Sequence, residues 1–218
     1  MIRLYVIVEG RTEEIIANRM LVPHLSALGV YPTVHSEDGG RRWTRWRKHI
    51  ASWMRHDQKP EARFTTMFDL YALPQDFPGK VAHAAISDTA RRVELLEQAM
   101  FDDLGDKRLV PYLQRHEIEA LVLAGLERLA DLLPEERKGI ERLRDAIGSM
   151  SPEDVNDGPA TAPSKRLSHY VPGYDKTLHG PIVAEDVGLP GLRAKCPRLH
   201  QWVGKLEALG SEAAVTIR

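Results

Sequence analysis

At 218 residues, with 43% hydrophobic and 28% charged side chains and a formal net charge of -1, the chain can bury one substantial core and lacks the global basic excess of a dedicated nucleic-acid binder. Its single cysteine, Cys196, excludes an internal disulfide framework and a cysteine-rich zinc site, as suits a reducing compartment. The first apolar run, residues 4–8, is too short for a signal-peptide core or a membrane span, so the expectation is a cytoplasmic protein with no membrane contact.

Residues 4–8 are apolar without alternation, the pattern of a strand buried on both faces of a parallel sheet. Glu9 and Gly10 end it abruptly. Thr12 then opens a helix with Glu13 and Glu14 in its first turn, kinked or restarted at Pro23 and closed by Gly29. "VYPTVH" at 30–35 predicts a second strand, at a sheet edge because of Pro32; "SEDGG" reads as a loop. Over 41–55, Trp43, Trp46, Ile50, Trp53 and Met54 recur at helical spacing, and Arg41, Arg42, Arg45, Arg47, Lys48 and Arg55 take other positions. "RFTTMFDLY" (63–71) predicts a third strand, ending at Asp69. "ALPQDFPGK" is a loop, and Ser87 or Asp88 opens a helix with Val93, Leu96, Met100 and Leu104 on one face, stopped by Gly105.

"RLVPYLQRH" (108–116) reads as a fourth strand, followed directly by the helical "EIEALVLAGLERLADLL". Strand and helix alternate four times, which predicts an open α/β sheet, mostly parallel and flanked by helices, over residues 1–133. From 134 the pattern becomes helices and long loops: an amphipathic helix at 134–147, a Gly, Pro, Ser and Asp-rich stretch at 148–166, and a final helix at 197–210. Residues 134–218 are expected as a helical extension packed on the core.

Ligands bind such sheets beyond the carboxyl ends of the strands. Glu9 ends the first predicted strand and Asp69 the third, so both carboxylates belong to that edge, where neighbouring strands are about 4.8 Å apart. Without a His or Cys cluster, their hard oxygens favour Mg²⁺ or Mn²⁺. Each acid taken alone is equally explained as a solvated strand end. Glu117 and Glu119 flank a buried stripe in the first turn after the fourth strand and could add a third carboxylate, though the helix dipole alone also favours acids there.

Four stretches, "VIVEGRTEE", "MFDLYALPQDFPG", "YLQRHEIEALVL" and "PSKRL", occurring in this order between Val6 and about Gly180, together resemble the domain of unknown function 4276 family, whose fold is similar to the Toprim domain of topoisomerases, primases and the overcoming-lysogenization-defect nucleases. The resemblance implies a Toprim-like sheet that binds Mg²⁺ through Glu9 and Asp69 for phosphodiester cleavage. It also implies a setting in bacterial anti-phage defence beside an ATPase partner. Tyr71 stands where the Toprim pattern has a second aspartate, and a neutral phenol is a poor Mg²⁺ ligand. Asp76 is a substitute acid or a turn residue. His116 and Glu117 match the centre of a family motif and are the preferred third contributors, a neutral His116 orienting water or phosphate.

In "APSKRLSHY", Pro163 marks a helix start with Lys165 and Arg166 in its first turn, where cations are disfavoured unless an anion offsets the cost. The resemblance makes Lys165 comparable to a lysine near the metals of those nucleases, stabilising transition-state charge; Lys176 is a second candidate. Both are also explained as solvated surface lysines. Arg42, Arg45 and Lys48 of the basic helix, with Arg166, could hold a DNA or RNA backbone, and the same helix could equally dock a protein. "EGRTEE" lacks the Gly-Lys-Ser/Thr ending of a phosphate loop, so ATP hydrolysis is not expected. Two readings follow: an Mg²⁺-dependent nuclease using Glu9, Asp69, Glu117 and Lys165, or a non-catalytic Toprim-like subunit that docks a partner or nucleic acid.

Overall fold

A computed structural model describes residues 1–37, 42–115, 117–155 and 162–215; His116 and Arg41 lie outside the described residues. The chain forms two compact units, Met1–Gln114 with Trp202–Arg218, and Arg115–Gln201. The sequence pattern changes near residue 134, whereas the chain passes from the first unit to the second after Gln114 and returns at Trp202.

The first unit is an α/β sheet flanked by helices. Its elements are β1 (Ile2–Val8), α1 (Arg11–Ile16), α2 (Val22–Ser26), β2 (Val30–Ser36), α3 (Trp43–His56), β3 (Ala62–Asp69), α4 (Thr89–Leu104), β4 (Leu109–Val110) and β5 (Leu113–Gln114). The order is β2-β1-β3-β4, with β5 also on β3, and every pairing is parallel. β2 is the edge strand, where the missing N–H of Pro32 costs no ladder bond. Between α1 and α2 residues Ala17–Leu21 widen into a π-helical turn, the adjustment by which a helix accommodates Pro23 without breaking.

The fourth predicted strand is two two-residue segments instead of one strand over 108–116. Pro111 lies between them and has no N–H for the ladder. Threonines of β3 fill the gap: Thr65 Oγ1 donates to the Val110 carbonyl (2.6 Å), and Thr66 Oγ1 donates to the Tyr112 carbonyl (2.9 Å) and accepts its N–H (3.0 Å).

The apolar stripe of α3 does what its spacing predicts. Trp43, Trp46, Ile50 and Met54 are buried with Ile7, Phe64 and Phe68 of the sheet and Val93, Leu96 and Met100 of α4, each large side chain contributing about 1.5–3 kcal/mol by its removal from water. Elsewhere in this unit Trp202, from α10 (Pro197–Val215), stacks on Tyr112 at 4.2 Å between centroids and donates its indole N–H to Thr65 Oγ1 at 2.8 Å.

Asp57, just past α3, receives both Arg3 Nε (2.9 Å) and Arg3 Nη2 (2.8 Å) and the Tyr5 hydroxyl (3.0 Å). The Arg3 hydrogen bonds hold its carboxyl down from 3.8 to about 2. A depressed carboxylate pKa stabilises the fold above the ordinary value and loses that contribution as pH falls toward the folded value. The difference in melting temperature between the wild type and Asp57→Asn is therefore expected to shrink between about pH 4 and pH 2; a constant difference in thermal melts across that range would contradict it.

The second unit is helical: α5 (Glu119–Leu123), α6 (Leu126–Leu132), α7 (Arg137–Ile147), α8 (Pro163–Tyr170) and α9 (Lys176–Lys195), with the first turn of α10. Leu129, Ile140, Leu143, Val155, Leu167, Val171 and Val183 form its core. The single helix expected after residue 116 is divided at Gly125, the N-cap of α6, whose backbone (φ -118°, ψ 31°) leaves the helical region; a Cβ there would lie 2.6 Å from methyls of both Val183 and Val187, so the close approach requires glycine. α9 is interrupted at Gly188 (φ 71°), a left-handed conformation suited to glycine, two residues before Pro190. Among the described residues no helix is long and apolar enough to cross a membrane.

Candidate functional site

β1 and β3 are direct neighbours, and their register puts Val8 level with Met67. Glu9 follows Val8, and Asp69 lies two residues past Met67, so the two carboxylates leave the sheet at the same carboxyl edge. Adjacent strands sit about 4.8 Å apart, and the single-residue offset adds about 3.3 Å along the strand. Asp69 is 5% exposed, and Glu9 Oε2 and Asp69 Oδ1 are both buried atoms. Such burial of charge is costly unless partners or a cation compensate. Gly10 is the extended N-cap of α1, its carbonyl accepting the Glu14 N–H at 3.0 Å, and Glu13 in the first turn is buried.

A third carboxylate on this edge was read only as loop. Glu37 follows β2, donates its N–H to the Val8 carbonyl (3.0 Å), and is buried with Oε2 2.8 Å from His49 Nδ1 of α3. Burial pushes its carboxyl above the usual range, with His49 pulling the other way. The strand-end logic that selected Glu9 and Asp69 applies to Glu37 as well. It was hidden by the Asp and Gly residues that follow it.

β3 ends at Asp69 as expected, and residues Leu70–Ala72 turn into a 3₁₀ segment, leaving Tyr71 exposed. Asp76 caps a helix. Its Oδ1 accepts the Trp43 N–H (2.8 Å) and its Oδ2 the Thr44 N–H (3.2 Å), and the first of these hydrogen bonds holds its carboxyl below the ordinary range. It serves as the N-terminal cap that Arg42 cannot supply to α3. Arg42, the N-cap of α3, and Arg45 and Lys48 within it are exposed; Arg47 is paired with Asp103 at 2.8 Å, and the charge of Arg45 acts on Glu37. Arg55, in the last turn of α3, is exposed as well.

In the second unit, Glu117 Oε2 accepts the Ser164 N–H at 2.9 Å, at the start of α8. Lys165 is exposed and Arg166 half-buried in the first turn of that helix. Lys176 lies 3.3 Å from Glu119, which is 2% exposed. Burial raises the Glu119 carboxyl, Lys176 opposes the rise and Glu117 adds to it. Glu117, Glu119 and Lys176 thus interact within this unit. His116 lies outside the described residues.

The donor set in the first unit suits one class of ion. Mg²⁺ is ordinarily held by one or two protein carboxylates, with water and phosphate oxygens completing its shell, so Glu9 and Asp69 match Mg²⁺ or Mn²⁺ and do not match zinc. Among the described residues no three His, Cys, Asp or Glu side chains are grouped to hold an ion.

Comparison with known proteins gives one family match: the family described as "Domain of unknown function (DUF4276)" matches residues 8–207. No curated protein matches. Solved structures similar to the chain include the C-terminal region of the Burkholderia pseudomallei OLD protein (18% identity, TM-score 0.49, covering 94% of this chain and 98% of that one). The C-terminal region of the Xanthomonas campestris pv. campestris OLD protein is also similar (17% identity, TM-score 0.45, covering 100% and 99%).

Proposed function

The chain belongs to the DUF4276 family, and we propose that it is a divalent-metal-dependent enzyme of phosphodiester cleavage acting through Glu9 and Asp69. The observation that carries this reading is the pair of buried carboxylate oxygens at the carboxyl ends of the neighbouring parallel strands β1 and β3. That is the order, glutamate after the first strand and aspartate after the third, which the resemblance to Toprim nucleases implies. A bound Mg²⁺ would supply Lewis-acid activation of a phosphodiester and of the attacking water.

The chain's own residues do the rest. Glu9 and Asp69 would hold the ion, and their partly desolvated carboxylates supply negative charge at the carboxyl ends of β1 and β3. Arg42, Arg45 and Lys48 attract the strand through its phosphates, without reading its sequence. Lys165 remains assigned to transition-state charge by the resemblance, and Glu117 has one oxygen engaged in capping α8. The ATPase partner and the anti-phage setting implied by the resemblance belong to the same proposal, with no residue of this chain assigned to them.

The test is cleavage of plasmid DNA and of transfer RNA with Mg²⁺ or Mn²⁺. The wild type is expected to cut one of them and Glu9→Ala to be inactive. Equal cutting by both proteins, or none by the wild type under either metal, would refute the enzymatic reading and favour a non-catalytic subunit that docks through its basic helix.

A further inference from the structure

Immediately after Asp69 the 3₁₀ segment Leu70–Ala72 turns into one wall of a cavity of about 190 Å³. This is below the roughly 300–1,000 Å³ of sites for drug-sized ligands, so the space suits one small group rather than a whole cofactor. Its polar lining is Tyr71, Lys80 and Arg92; Leu70, Leu73 and Leu96 supply apolar wall, and no acidic side chain lines it.

Three features make the cavity attractive to an anion. Arg92 sits in the first turn of α4, which holds no acidic residue, and a cation is disfavoured at that end of a helix. Its neighbour Arg91 is paired with Glu94 at 3.1 Å, whereas among the described residues Arg92 has no carboxylate partner. Lys80 donates to the Leu73 carbonyl, and burial lowers its pKa, so its ammonium is poorly solvated and gains from an opposite charge. Tyr71 adds an exposed ring at the rim, two residues from Asp69.

We propose that this cavity is a nucleotide subsite: Lys80 and Arg92 hold a phosphate of a nucleic-acid strand, and Tyr71 stacks on the adjoining base, seating the neighbouring phosphodiester at Asp69. The assignment rests on the reading of the substrate as a phosphodiester, and it gives Tyr71 a role that a second aspartate would not fill. A phenol ring offers a sequence-tolerant stacking platform, and paired cations grip a phosphate.

The test uses the full chain in EDTA, so that no step depends on a metal, and follows the fluorescence anisotropy of a short labelled single-stranded oligonucleotide. Arg92→Ala and Tyr71→Ala are each expected to weaken binding about tenfold, and Tyr71→Phe to bind like the wild type. Arg92→Ala should also lower the slope of log affinity against log salt by about one, with Arg91→Ala leaving affinity within about twofold. Equal effects of Arg91→Ala and Arg92→Ala, or no binding by the wild type, would overturn the subsite. If inorganic phosphate displaces the strand and Tyr71→Ala changes nothing, the cavity holds a simple anion and the nucleotide assignment falls. Loss of binding in Arg92→Ala combined with absence of cleavage by the wild type would sustain the subsite and refute only the catalytic reading.

Discussion

Asp69→Asn is expected to bind Mn²⁺ at least about 100-fold more weakly than the wild type while folding normally. Outer groups around metals typically cost about 10–100-fold in affinity when removed, and a direct carboxylate ligand should cost no less. The amide keeps the shape of the side chain at a position only 5% exposed, so no cavity opens at the end of β3. Calorimetric titration of Mn²⁺ into both proteins, beside their thermal melts in EDTA, separates the effects. Unchanged Mn²⁺ affinity in Asp69→Asn would remove Asp69 from the site. A large fall in melting temperature would make the residue structural.

Gly139→Ala carries the largest expected cost to stability. Gly139 is buried in the first turns of α7, and a Cβ there would fall well inside the van der Waals radius of the Tyr170 carbonyl oxygen at the end of α8. The clash is with backbone, so no rotamer relieves it, and α7 and α8 must move apart. The expected loss is about 3 kcal/mol. It should appear as faster amide exchange over residues 162–171 and a lower urea midpoint for the second unit, while the sheet of the first keeps its protection. Wild-type exchange over α8 in this variant would show that the close approach is not a constraint.

How much the sequence revealed depended on whether the signal was local. β1, β3 and the amphipathic α3 were legible because their burial is written in apolar runs and helical spacing, and Pro32 announced the edge strand. The carboxyl-edge pair followed from counting strand ends. What failed involved partners distant in sequence. Nothing near Asp76 says that it caps a helix 33 residues away. Glu37 looked like loop because its burial comes from β1 and α3. The run 108–116 looked like one strand because the threonines that bridge its break at Pro111 sit on β3. The Toprim pattern puts Tyr71 at the position of a second aspartate, but the chain begins to coil directly after Asp69.

The return of α10 to the first unit has a consequence for synthesis. Trp202 closes on Thr65, 137 residues earlier, and stacks on Tyr112, so the sheet's last cover is supplied only after the whole helical unit has been made. During translation β1 to β5 must wait without α10 while residues 115–201 are made. A ribosome-stalled chain ending before Trp202 should therefore expose apolar sheet surface and recruit chaperones, and one extended through α10 should release them.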